Sequence, residues 1–494
     1  MPEASIFQKH SKSQASGLWW FTAGLFLLSL AASIWLEKSW ILGIPFAWIF
    51  TYATILNIKI PFYILLATIP LSTETSFENG FSTDLPAEPL TVYLMFIYFA
   101  YVLQQMRTMS SRFFLHPISL LLLGHVVWIG ISCINSYNQL VSIKFFLAKI
   151  WYVVVFYFLS GLILKDLKEI KKYTWFILIP LITVAIIVVI RHGMVGFSFK
   201  EISHIYYPFF RNHVDYACQL ALFIPFVYVA RSWYNKWSNK WLFLWFAVVF
   251  SFLAIQVSYT RAAIGALFIG IGAFYVMKYK LLKPVLVLAA VGVTLFLASM
   301  ASGNKYLRFA PNFEKTVTHQ NFENLLEATY KLQDISTMER VYRWVAASQM
   351  IKKEPWFGFG PGTFYFFYKS YTVSSFKTYV SYNPEKSGIH CYYLMTQVEQ
   401  GIFGLIILLS LISFALMRLQ YLYHTVEDKA LKKVVGAILV SFVIILCLLV
   451  MNDMIETIKV GPFYFIILAL ITNIDLMVRS EKESSVTPQT TPAG

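Results

Sequence analysis

Gly388-Ile389-His390-Cys391-Tyr392-Tyr393-Leu394 closes a long polar stretch and opens an apolar one. An apolar run of some twenty residues that begins at a polar residue is the pattern of a membrane-spanning helix meeting water. At about 100° per residue, that helix places Leu394, Gln397, Gly401 and Gly404 within roughly 40° of the His390 direction. One stripe then carries an imidazole at the membrane surface and two glycines below it, where a neighbouring helix would approach closely. Glu399 falls on the opposite side and is a poor candidate for orienting His390. A histidine satisfied by loop backbone at a helix start would look the same, so the rest of the chain has to decide its meaning.

Working outward, the 494 residues are 58% hydrophobic and 13% charged, which excludes an ordinary soluble domain. We expect an all-α polytopic membrane protein of about 12–14 transmembrane helices with one large helical outer loop. The expected divisions are a cytoplasmic start (1–17), a first transmembrane bundle (18–300), the large loop (301–389), the last transmembrane helices (390–478) and a disordered tail (479–494). The net charge of +15 does not indicate nucleic acid, because the basic residues sit in short clusters between apolar spans. Cys133, Cys218, Cys391 and Cys447 form no C-x-x-C pair and suggest neither a disulfide framework nor a zinc site.

Charge sets the expected orientation. Arg107 and Arg112, Lys165 to Lys172, Arg231 to Lys240, Lys278 to Lys283, Lys429 to Lys433, and Arg479 with Lys482 all fall on one side of alternating spans, the cytoplasmic one, with both chain ends. The loop from Ser72 to Pro89, with Glu74, Glu78, Asp84 and Glu88 and no Lys or Arg, falls on the other. That makes Arg191, Arg211, Arg261, Arg340 and Arg343 exceptions, all on the side of His390. Each could snorkel to lipid phosphate. Together they suit a cationic pocket for a phosphate or diphosphate, because guanidinium holds phosphate oxygens bidentately and keeps its charge. Lys149 lies about a turn inside a span and could join the pocket; snorkelling is the favoured reading.

Within the loop, Ser336 or Thr337 can cap a helix from Met338 to about Lys353, with Met338, Val341, Trp344, Val345, Ser348 and Ile351 on its buried face. The run Trp356-Phe357-Gly358-Phe359-Gly360-Pro361-Gly362 reads as a tight turn with aromatic anchors rather than a dinucleotide fingerprint. Its backbone N–H groups could still face an anion. No H-E-x-x-H, outer-loop D-x-D or G-x-S-x-G element is present, so no metal or cofactor is expected. Asp453, beside Asn452 at an outer helix end, is a secondary candidate, as are Asn212, Asp215, Arg343 and Gln397.

Four pieces together resemble the O-antigen ligase/polymerase superfamily, the Wzy-C type of membrane glycosyltransferase. Arg211-Asn212-His213-Val214-Asp215-Tyr216-Ala217 resembles its N-x-x-x-x-A element, and Thr260-Arg261-Ala262-Ala263 its S-R-G/A element. Arg340-Val341-Tyr342-Arg343-Trp344 through Gly362 resembles its loop helix and glycine turn. His390, Cys391, nine residues, Gly401, two residues and Gly404 follow the ligase signature H-[NSQ]-x9-G-x-x-[GTY], with Cys391 departing from the polar residue. The resemblance covers roughly residues 206–477.

The resemblance implies a GT-C-like, metal-independent, inverting glycan transfer on the periplasmic face of a bacterial inner membrane. The donor it implies is a glycan on undecaprenyl diphosphate, and the acceptor a sugar hydroxyl, usually on lipid A core. His390 would take the acceptor proton, Arg211 and Arg261 would hold the leaving diphosphate, and Arg340 would clamp the donor or hold the loop. A polysaccharide polymerase and a protein O-oligosaccharyltransferase share this donor chemistry. A lipid-linked glycan transporter predicts ionisable residues near span centres and internal repeats, and the sequence offers little of either beyond His125.

Overall fold

The computed structural model describes residues 12–38, 41, 43–76, 82–108, 110–199, 201–302, 335–373, 376, 381 and 388–486. Two compact units are distinguished, Met1–Thr68 and Ile69–Gly494. The first holds α1 (Lys12–Trp35), α2 (Gly43–Leu56) and most of α3 (Lys59–Leu71).

The second unit opens with a two-stranded antiparallel hairpin, β1 (Thr73–Ser76) and β2 (Ser82–Leu85), which pairs Glu74 with Asp84. Then come α4 (Ala87–Gln105), α5 (Pro117–Ile134), α6 (Gln139–Ile163), α7 (Leu167–Met194), α8 (His213–Ala230), α9 (Asn239–Val257), α10 (Arg261–Lys278) and α11 (Leu282–Ala301). The loop helix α12 (Ile335–Lys353) precedes α13 (Tyr392–Thr425), α14 (Lys429–Leu448) and α15 (Gly461–Val486). Ten of these helices are long and apolar enough to cross a membrane, and four shorter apolar helices fall where the remaining spans are expected. The protein is an all-α polytopic membrane protein.

Polar residues close the helix ends where they leave the apolar layer. Asp166 accepts from Glu169 N–H, Ser238 from Trp241 N–H and Asp428 from Leu431 N–H, satisfying donors that a helix start leaves open. The centre is built from α8, α14 and α15, whose side chains are mostly buried; α14 packs along both α8 and α10. Residues 153–159 of α6 are π-helical and wholly buried, and Tyr157 there hydrogen-bonds Ser119 (2.6 Å) and Thr472 (3.0 Å).

Two expectations shift, at the tail and on the face of α12. The tail does not leave the helix at 478, since α15 runs to Val486; residues 487–494 lie outside the described residues. Of the expected loop 301–389, residues 303–334 and most of 374–387 lie outside them as well. The buried face of α12 is Met338, Tyr342, Val345, Ala346 and Met350, while Ser348 is exposed. The buried stripe also takes in Glu339 and Arg343, which pair at 3.4 Å, so a hydrophobicity pattern alone sets the face wrongly.

Candidate active site

The chain reaches His390 already constrained. Arg343 Nη1 donates to Gly388 O (3.1 Å), and Glu339 holds Arg343 from the preceding turn of α12 while accepting from Ser381 (2.7 Å). His390 itself sits at φ +58°, a left-handed conformation that is strained for a non-glycine residue. Its N–H donates to Asp453 Oδ2 (3.0 Å), and two residues on Tyr392 N–H donates to Leu449 O (2.8 Å). A side chain on Gly388 would meet Asp453 Oδ2 at 2.5 Å, so glycine there lets the carboxylate reach the histidine backbone.

His390 therefore stands before α13, not on it: Cys391 is the N-cap and the helix starts at Tyr392. The expected stripe of His390, Gln397, Gly401 and Gly404 on one continuous helix is corrected. A junction residue with its own φ does not follow helical angles, and the helix is also broken at Gly401 (φ 68°, ψ −172°). Gln397 remains half-buried on the second turn.

Burial, with the Arg340 and Arg343 guanidiniums close by, holds the His390 imidazole down at about 3, against a hydrogen bond to the Asn452 side chain that pulls the other way. The ring is neutral near pH 7, with its basicity suppressed by that burial and charge. Burial pushes Asp453 up to about 6, opposed by the backbone N–H groups of His390 and Cys391 and by Arg343, and reinforced by Glu456.

The break at Gly401 explains the glycine turn. Interrupting the helix frees backbone groups, and the turn satisfies them: Phe359 N–H donates to Val398 O (2.9 Å), Gly360 N–H to Glu399 O (3.0 Å) and Ile402 N–H to Pro355 O (2.9 Å). Trp128 Nε1 covers Gln400 O (2.8 Å). A Cβ on Gly401 would strike the Trp356 carbonyl, so what approaches this glycine is loop backbone rather than a neighbouring helix. The turn's N–H groups do face acceptor oxygens, and they are the protein's own. Glu399 accepts from Gly362 N–H (2.8 Å) and Phe364 N–H (3.1 Å).

A second group of charges surrounds the start of α8. Asn212 caps that helix, its side-chain oxygen accepting from Val214 N–H and Asp215 N–H (both 2.9 Å), and its amide reaches Asp215 (3.2 Å). Arg211 is exposed beside it, and its charge acts on Asp215, as does that of Lys459. Arg261 is the half-buried first residue of α10, and Thr260 before it donates to His213 O (3.3 Å), tying the two helix starts. Arg191 donates to Tyr207 O (2.7 Å) and so braces the approach to α8.

Lys149 does not snorkel. It is 4% exposed and donates to Glu456 (2.6 Å) and Tyr392 OH (3.3 Å), because a carboxylate on a distant segment offers a closer partner than the membrane surface. Two further groups escaped sequence reasoning. Glu456 is one, and Lys459, whose Nζ donates to Ile69 O, Ser72 O and Ser72 Oγ, is the other. A signal existed: Asn452, Asp453, Glu456 and Lys459 crowd one short connector between two apolar helices. Among the described residues no three His, Cys, Asp or Glu side chains are grouped to hold a metal ion.

Residues 246–409 match the family model described as O-antigen ligase. The chain carries an O-antigen ligase domain. That domain runs from within α9 into α13 and contains Arg261, Arg340, Arg343, His390 and Gly401. Arg211, Asp453, Glu456 and Lys459 lie outside the matched residues. No curated protein matches the chain. With the membrane helices, this match supports a glycan-transferring membrane enzyme.

Proposed function

We propose that this enzyme transfers a preassembled glycan from undecaprenyl diphosphate to a sugar hydroxyl of lipid A core, on the periplasmic face of a bacterial inner membrane, with both chain ends cytoplasmic. The observation that carries this reading is the junction at His390. A neutral imidazole stands beside the guanidiniums of Arg340 and Arg343 inside the O-antigen ligase domain.

The chemistry follows from those groups. The acceptor oxygen attacks the anomeric carbon as His390 takes the hydroxyl proton, and the bond from that carbon to the diphosphate oxygen breaks on the opposite face. The diphosphate leaves with the bonding electrons, so negative charge grows on it. Attack opposite the leaving group inverts the anomeric centre.

Guanidiniums placed where charge develops act on the transition state rather than the bound donor, which is what raises a rate. The charges of Arg340 and Arg343 act on the histidine, and Arg211 and Arg261 supply further cations at the starts of α8 and α10. A bound diphosphate would also offset the arginine charges that suppress His390 basicity. Proton transfer of this kind contributes typically ~10²–10⁴-fold. Asn452 and Asp453 hold the ring and its backbone in place.

The test is the glycolipid ladder of a strain lacking this protein, complemented with wild type or His390→Ala. Ligase activity predicts core without glycan and polymer retained on the carrier, restored by wild type and not by His390→Ala. Core bearing a single repeat would make the enzyme a polymerase. An unchanged ladder would point to a different acceptor, with protein glycosylation the next assay. Wild-type activity in His390→Ala would remove the histidine from the mechanism.

A further inference from the structure

The connector between α14 and α15, residues 449–460, touches both charged groups. Near its start, Leu449 O and Asp453 Oδ2 accept from Tyr392 N–H and His390 N–H. Near its end stands Lys459, 5% exposed, with all three ammonium protons engaged: Ile69 O at 2.8 Å, Ser72 O at 2.6 Å and Ser72 Oγ at 2.8 Å. The acceptors lie where α3 ends, so a cation meets carbonyls that a helix terminus leaves open. Lys459 O accepts from Gln219 Nε2 of α8 (2.9 Å), and the ammonium lies 5.1 Å from the Phe210 ring, next to Arg211.

The charged groups facing Lys459 are Asp84 from β2 and Asp215 from α8; Arg211 in turn acts on Asp215, and Glu74 and Glu88 on Asp84. One lysine thus gathers the end of α3, the hairpin, the start of α8 and the connector that grips His390.

We propose that Lys459 is a positioning residue for glycan transfer, holding the Arg211 segment in register with His390 through the connector. This rests on the reading of His390 as base and Arg211 as a donor contact. In-line displacement requires the base side and the leaving-group side to be set together, and a misplacement of about 1 Å can lower a rate ~10²-fold. Burial draws Lys459 down to about 8, with Asp84 and Asp215 opposing. Its charged form therefore holds the register below that pH and releases it above.

The test measures transfer by detergent-solubilised full-length protein, using undecaprenyl-diphosphate-linked glycan and lipid A core, across the alkaline range. Wild type is expected to lose kcat as pH rises through about 8. Lys459→Arg should retain activity and move that limb to higher pH, because guanidinium does not titrate there. Lys459→Met should lower kcat by about 10²-fold with the acceptor KM unchanged. An unaltered alkaline limb in Lys459→Arg, or full kcat in a folded Lys459→Met, would overturn the proposal. The wild-type and Arg limbs decide it even if the Met variant fails to fold. His390→Ala run alongside separates the two readings: an inactive His390→Ala with a fully active Lys459→Met rejects only the role of Lys459.

Discussion

Asp475 and Asp453 are aspartates at opposite ends of the same bundle, and their surroundings differ. Asp475 is wholly buried in α15 and meets His116 Nε2 (2.9 Å), Arg479 Nη2 (3.1 Å) and Arg418. Cationic or hydrogen-bonding side chains from three helix regions converge on one carboxylate, an arrangement suited to pinning helices. Asp453 instead holds backbone N–H groups, has Glu456 as an anionic neighbour and supports a strained histidine. Internal closure serves stability at one end. At the other, Arg343 spans Glu339 and the Gly388 carbonyl, and its charge and that of Arg340 act on His390.

Substitutions should separate the two ends, and the largest effect falls on the clasp beside the site. Gly401→Ala puts a Cβ against the Trp356 carbonyl at a positive φ. Backbone strain alone costs about 1–3 kcal/mol, and the clash adds to it. Little folded protein should be recovered on size-exclusion chromatography, and normal recovery would mean that the clasp relaxes freely.

Next, Asp475→Ala should destabilise by about 1–3 kcal/mol, because it leaves the buried His116 ring and the Arg418 guanidinium without their acceptor. Thermal unfolding in detergent should show the loss, while turnover per folded molecule stays near wild type. A large drop in that turnover would erase the distinction between the ends.

Asp453→Asn should have the smallest effect on stability and a visible one on rate. Losing a charge-assisted contact worth ~1.5–3 kcal/mol lowers kcat about tenfold or more. Wild-type activity should fall as pH drops through about 6, where Asp453 protonates, and the Asn variant should lack that limb. The stability contribution has the opposite sign. A carboxyl raised from 3.8 to about 6 favours the fold when protonated, so its share of stability is present below the unfolded value and lost as pH rises through 6. Parallel pH profiles of kcat and melting temperature that move together would refute this account.

The candidate site residues could be singled out in the sequence because they are anomalous locally. Arg211, Arg261 and Arg340 depart from the charge pattern of the chain, and His390 stands where a polar stretch meets an apolar run; both can be read without a fold. The helical stripe below His390 was not legible, since periodicity assumes a continuous helix and cannot see a break supported by a turn some forty residues earlier. The carboxyl that meets the glycine turn was not legible for a related reason: Glu399 looks unremarkable until the chain folds back on it.

By itself, the sequence determined the apolar spans, the clustering of charge at one set of helix ends and the assembly of a histidine with arginines at the other. These are properties of composition over about twenty residues, imposed by the thickness of a bilayer and the cost of charge within it. Tertiary structure alone decided that Lys149 meets Glu456, that Gly401 admits the Trp356 carbonyl and that Lys459 reaches Ser72, 387 residues away. A buried charge takes whichever partner packing delivers, and no local pattern encodes that choice.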